Sequence, residues 1–195
     1  MIEYIEGRIV EKNPAYIVID CGGIGYLIHI SLHTYTQLKD FDKIKIFTHQ
    51  VIREDMHLLY GFAHNNERKM FRHLITVSGV GANTARMILS SLTFADVQKA
   101  ILSNNVSLLQ SIKGIGTKTA QRIIVDLKDK IGKADVDING IHIPILDNVR
   151  EEAILALSML GFNKSVSERL IDKILTSQTQ KYSVEELIKQ ALKNL

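Results

Sequence analysis

Cysteine is almost missing from this 195-residue chain, where Cys21 stands alone. Neither an intrachain disulfide nor a cysteine-rich metal site can therefore be built. Tryptophan is absent and aromatics reach only 6%, but 46% of residues are hydrophobic, the balance of a globular chain able to bury cores. The length suits one large domain or two to three small ones. No apolar run approaches the roughly 18 residues that a membrane helix needs. The opening Met1-Ile2-Glu3-Tyr4 lacks the basic, apolar, small-residue order of a signal peptide. The expectation is a cytoplasmic protein with no membrane attachment, in which Cys21 is a small core residue at a strand end.

Recognisable catalytic chemistry is missing too. The histidines His29, His33, His49, His57, His64, His73 and His142 show no metal-ligand spacing that also gathers carboxylates or cysteine. No metal and no cofactor are expected. Gly114-Ile115-Gly116-Thr117-Lys118-Thr119 superficially resembles an ATPase phosphate loop, but it lacks the G-x-x-x-x-G-K-[ST] spacing and a preceding strand. A dinucleotide fingerprint fails for want of a third glycine at the required offset.

Charge is unevenly spread. Residues 1–63 carry 6 Lys and Arg against 8 Asp and Glu, residues 64–133 carry 11 against 4, and residues 134–195 carry 7 against 9. A basic block between two mildly acidic ones is the footprint of a segment that meets a polyanion, or else a solvated basic face.

The first 63 residues read as short strands rich in β-branched residues, over Ile2–Val10, Tyr16–Asp20, Tyr26–Ser31, from Lys43 through Ile52, and over Leu58–Phe62. Asn13-Pro14 and Cys21-Gly22-Gly23 punctuate them as turns. Five or six strands in this span predict a small barrel, best matched by a five-stranded OB-like one. From residue 64 to 133 the period becomes helical, with a helix over Glu67–Val77, a capping box at Thr93 and Asp96, and a long helix over Thr117–Ile131. Residues 134–146 read as a linker. Residues 147–195 predict a three-helix bundle, with helices over Val149–Leu160, capped by Gly161, and over Ser165–Leu175. The last helix opens on a Ser183–Glu186 capping box with Tyr182 stapled to Leu187. The class is α+β.

The chemistry lies in a repeat. Shifted by 35 residues, Leu74-Ile75-Thr76-Val77-Ser78-Gly79-Val80-Gly81-Ala82-Asn83-Thr84-Ala85-Arg86 aligns with Leu109-Gln110-Ser111-Ile112-Lys113-Gly114-Ile115-Gly116-Thr117-Lys118-Thr119-Ala120-Gln121. Each copy is helix, Gly-aliphatic-Gly, helix. Glycine permits a tight turn and a close ligand approach, and the helix that follows presents unpaired amides and a positive dipole end to a phosphate. A tight turn between two helices is the alternative for either copy alone. The residues expected to meet DNA are Gly79, Gly81, Asn83, Thr84 and Arg86 in the first copy. In the second they are Gly114, Gly116, Thr117, Lys118, Thr119 and Arg122, with Lys118 and Arg122 the stronger side-chain grip. Such contacts hold DNA without reading bases. Asp126 lies too early in its helix to be the acid of a base-excising enzyme.

Arg53-Glu54-Asp55, Leu58-Leu59-Tyr60-Gly61-Phe62, the two hairpins and Leu157-Ser158-Met159-Leu160-Gly161-Phe162, in that order along the chain, resemble the RuvA family. The resemblance implies a subunit that binds four-way (Holliday) junction DNA. It further implies a homotetramer, or an octamer on DNA, and a RuvB-type ATPase motor docked on the C-terminal bundle through Leu157, Leu160, Gly161 and Phe162. A RuvC-type resolvase is the further partner it implies. It makes Glu54 and Asp55 an acidic pin at the junction centre. Read without the resemblance, they are an ordinary polar β-turn. A nuclease or glycosylase that uses the hairpins only for grip, and a general duplex-binding repair scaffold, are the competing functions.

Overall fold

Isoleucines alternating with polar residues build the N-terminal strands, because a side-chain period of two sends every second residue to one face. In the computed structural model, which describes residues 1–38, 43–132, 147–177 and 182–194, β1 (Tyr4–Asn13), β2 (Tyr16–Cys21), β3 (Ile24–Ile30), β4 (Lys43–Ile52) and β5 (His57–Phe62) close a barrel in the order β1-β2-β3-β5-β4. β3 and β5 pair in parallel and the other neighbours are antiparallel. Ile5, Ile17, Ile19, Ile28, Ile30 and Ile46 fill the interior, each worth about 2 kcal/mol of burial. Cys21 ends β2 as expected, half-buried against this core, its thiol donating to the Glu6 carbonyl at 3.2 Å.

Periodicity gives no sign of α1 (Leu32–Gln37), which follows β3 directly. Ser31, which reads as the end of a strand, is its N-cap, accepting from the Thr34 amide at 3.0 Å. The remaining helices of the first unit are α2 (Asn65–Leu74), α3 (Ala82–Ser91), α4 (Phe94–Leu102), α5 (Val106–Gln110) and α6 (Thr117–Gly132). The Thr93–Asp96 capping box opens α4.

Barrel and helices share one core. Tyr60 and Phe62 of β5 pack on Phe71 of α2, with ring centroids 5.1 and 4.9 Å away. Two polar joints flank this apolar centre. Buried Arg68 donates to the carbonyls of Glu3 and Thr48 and to the Glu3 carboxylate. Buried Glu67 accepts from the hydroxyls of Ser31 and Thr34. Met1–Asp135 is accordingly a single unit.

The second unit, Val136–Leu195, contains α7 (Asp147–Met159), α8 (Lys164–Ser177) and α9 (Val184–Lys193). Ala153, Ile154, Leu157, Ile171, Ile174, Leu187 and Ala191 form its core. Arg150 grips Asp172 through two hydrogen bonds of 2.6 and 2.8 Å. Gly161, at φ 95°, ends α7, with the Phe162 amide bonded to the Leu157 carbonyl and the Gly161 amide to that of Ser158. The Ser183–Glu186 capping box opens α9, and Tyr182 packs with Leu187 in the bundle core. The expected linker, residues 134–146, lies outside the described residues.

Candidate nucleic-acid interface

The two hairpins adopt the same backbone, bond for bond. In the first, the amides of Val77, Val80 and Ala85 donate to the carbonyls of Leu74, Val77 and Gly81 at 3.1, 3.0 and 2.9 Å. In the second, Ile112, Ile115 and Ala120 donate to Leu109, Ile112 and Gly116 at 3.3, 3.1 and 2.9 Å. Val80 and Ile115, the aliphatic residues between the glycines, are buried in the common core and anchor each turn.

The glycines of each copy do different work. Gly79 and Gly114 have φ of 90° and 89°, the left-handed region that glycine enters without strain. Gly81 and Gly116 do not have positive φ, and a Cβ at either would meet nothing within 4 Å. The fold therefore does not demand glycine at these two positions. Their bareness leaves the start of α3 and α6 open to a close-approaching group.

Capping reinforces the contrast. α1, α4, α5 and α9 each have one first-turn amide satisfied by Ser31, Thr93, Asn105 or Ser183, whereas α2, entered through His64, has no side-chain cap. α3 has Gly81 as N-cap and no side-chain cap, and α6 is preceded by Gly116, which has no side chain to offer. α3 and α6 thus each begin without a side-chain cap, at the positive end of the helix dipole. Arg122, on α6, makes the link, donating to the carbonyl of Ser78 in the first hairpin at 3.3 Å.

Among the expected side-chain grips, Lys118 is exposed and has no hydrogen bond or ion pair among the described residues. Lys113, just before Gly114, is exposed in the same way. The repeat register sets it opposite Ser78, and the sequence reading did not single it out. Thr84 and Thr119 are half-buried and Thr117 is exposed. Asn83 is exposed and Arg86 half-buried, and both also bond to the barrel: Asn83 Oδ1 accepts from the Tyr60 hydroxyl at 3.3 Å, and Arg86 donates to the Ala15 carbonyl at 2.8 Å. Lys128 and Lys130 bond Asn104 and Thr76 at 3.0 and 3.5 Å.

Glu54 and Asp55 occupy the tip of the β4–β5 hairpin, which the Arg53 amide closes on the Met56 carbonyl at 2.9 Å. Both are exposed, with no hydrogen bond or ion pair to a described residue. The same two strands carry Tyr60, Val51 and Leu58, which pack against the helical core, so the acidic tip and the hairpins belong to one body.

No group of three or more His, Cys, Asp or Glu comes together for a metal among the described residues, and no described helix is long and apolar enough to cross a membrane.

Comparison with known proteins divides the chain along these same lines. Residues 1–61 match the RuvA N terminal domain, residues 71–129 a SAM-like helix-hairpin-helix tandem, and residues 148–195 the RuvA C-terminal domain. The Holliday junction branch migration complex subunit RuvA of Christiangramia forsetii is 48% identical over 195 residues, covering 100% of both chains. Its counterpart in Flavobacterium psychrophilum is 49% identical over 195 residues, again covering 100% of both. The chain belongs to the RuvA family.

In RuvA terms α7–α9 make up the C-terminal domain, and the four positions expected there for docking fall into three groups. Leu157 is 0% exposed inside the bundle, and Phe162 packs on the same core. Gly161 terminates the helix. Leu160, 61% exposed, does face outward, beside Leu155 at 61% and Met159 at 83%, which sequence patterning passes over. Leu155 and Met159 are one helical turn apart and so share a face.

Proposed function

We propose that this RuvA-family chain binds four-way (Holliday) junction DNA, holds it open, and serves as the platform for a RuvB-type ATPase motor that drives branch migration in recombination and repair. It is a non-catalytic subunit. The observation that carries this reading is the pair of bond-for-bond equivalent hairpins, each delivering an uncapped helix start. A phosphate at each start accepts backbone hydrogen bonds and meets the positive helix end. Lys118, Lys113 and Arg122 add charge, and with it salt dependence.

Those contacts grip any duplex. Selectivity for a crossover needs several copies arranged around the acidic tips, so a homotetramer, or an octamer of two tetramers face to face, is part of the proposal. Glu54 and Asp55 then repel phosphates at the centre and keep the strands splayed. The outward residues of α7 receive the motor, and a RuvC-type resolvase acts on the same junction. The setting is the cytoplasm.

The test is binding of the purified full chain to a synthetic four-way junction and to a linear duplex of equal length, across a salt series. The junction is expected to be bound far more tightly at moderate salt. Lys118→Gln with Arg122→Gln should weaken both complexes and flatten the plot of log affinity against log salt, by up to about 0.9 for each phosphate no longer neutralised. Equal affinity for the two DNAs would overturn the junction reading, and cleavage of either by the pure protein would favour a nuclease or glycosylase.

A further inference from the structure

One face of α3 turns toward the barrel. Asn83, Arg86 and Ser90 are spaced three and four residues apart, which stacks them on one side of a helix. Each makes a polar link outside its own helix. Asn83 Oδ1 accepts from Tyr60 of β5 at 3.3 Å, Arg86 donates to the Ala15 carbonyl in the β1–β2 turn at 2.8 Å, and Ser90 Oγ accepts from the Leu32 amide of α1 at 3.1 Å. Ser90 also returns its hydroxyl to the Arg86 carbonyl at 2.8 Å. The Ala15 carbonyl already receives the Ile30 amide at 3.1 Å, so Arg86 joins the helix to a point where barrel strands are themselves tied.

We infer that Asn83 and Arg86 are positioning residues, which fix the first hairpin relative to the barrel and its acidic tip, and that Arg86, half-buried on its 2.8 Å bond, is not a phosphate grip, unlike Arg122, which is exposed and makes only a 3.3 Å bond to Ser78. The inference rests on the junction-binding reading above. Gripping a duplex requires only that the helix starts be open. Discriminating a crossover requires in addition that the hairpins stand at a set distance from Glu54 and Asp55. Tyr60 lies on the strand that leads out of that acidic turn, so the Tyr60–Asn83 bond connects the two directly. His29 belongs to the same cluster, its ring 5.7 Å from that of Tyr60, and its pKa is lowered by burial and then by the nearby Arg86 charge.

A phosphate grip and a positioning residue leave different signatures. Removing a grip weakens all DNA binding together and lowers the salt slope by roughly 0.9. Removing a positioning residue leaves the slope alone and narrows the preference for junction over duplex. The experiment measures both quantities for the full chain, for Arg86→Met, for Arg86→Lys and for Tyr60→Phe, with Lys118→Gln as the reference grip. Arg86→Met is expected to cut junction preference by about fivefold, the size of one ordinary hydrogen bond's net effect, with an unchanged slope. Arg86→Lys, which can still donate to the Ala15 carbonyl, should restore part of the preference. Tyr60→Phe keeps the buried ring and every charge, and should narrow the preference by a smaller factor, so it carries the test even if Arg86→Met folds poorly. A salt slope for Arg86→Met that falls as it does for Lys118→Gln would overturn the inference, as would junction preference untouched in both Arg86→Met and Tyr60→Phe. A wild-type chain with no junction preference would instead sink the proposed function, and the two failures are told apart by that control.

Discussion

At the scale of single residues, the four hairpin glycines separate folding from binding. Gly79 and Gly114 sit at φ near 90°, where any Cβ costs roughly 1–2 kcal/mol. Gly81 and Gly116 have neither that φ nor a crowded Cβ position. Gly114→Ala should therefore lower chemical-denaturation stability by about 1–2 kcal/mol. Gly116→Ala should cost less than about 1 kcal/mol, the scale of an N-cap preference, and yet weaken junction binding severalfold, because its methyl group occupies the approach to the α6 amides. Equal stability losses with intact binding would mean that Gly116 serves only the turn. The glycines, Lys118 and the repeat register are legible in the sequence because each depends on local spacing. The orientation of Arg86 is not, since its acceptor is a main-chain carbonyl 71 residues away that no side-chain pattern reveals.

At the scale of elements, the strands are legible to within a few residues because alternation is a property of each strand alone. α1 is not, being six residues long and held by a tertiary contact. Its cap, Ser31, is shared with Glu67 of α2, so one carboxylate secures the start of both helices against the end of the barrel. Burial raises the Glu67 pKa, and the hydrogen bonds from Ser31 and Thr34 only partly offset this. The folded state therefore holds this proton more firmly than the unfolded chain does. Between the unfolded value of 4.5 and the higher folded one, Glu67's contribution to stability falls as pH rises. Glu67→Gln cannot titrate. Subtracting its unfolding free energy from that of the wild type, in denaturant titrations at stepped pH, should give a difference that becomes less favourable to the wild type as pH climbs above about 4.5. A difference flat with pH would show that Glu67 is not held protonated by the fold.

At the scale of the whole molecule, two units have separate cores, and under the proposed function the first holds DNA while the second receives the motor, with α7 serving both its own fold and that partner. Its inward side places Ala153, Ile154 and Leu157 in the bundle core, while Leu155 and Met159, with Leu160 just past its end, stand exposed. The apolar run marks this stretch in the sequence but does not say which residues turn outward, because the low-contrast pattern Leu155-Ala156-Leu157-Ser158-Met159-Leu160 has leucines on both sides of the helix. The two sides make opposite predictions. Leu157→Ala opens a cavity and should destabilise the C-terminal unit by about 2–5 kcal/mol. Met159→Ser with Leu160→Ser removes exposed apolar surface and should shift stability by only about 0.5 kcal/mol per site. The double substitution should nonetheless abolish stimulation of a RuvB-type ATPase on junction DNA, while junction affinity, which belongs to the first unit, stays at the wild-type value. Thermal unfolding, junction binding and motor ATPase rate, measured on the same full-length proteins, separate these effects. If the motor were stimulated normally by a folded Met159→Ser, Leu160→Ser protein, the outward face of α7 would not be where it docks.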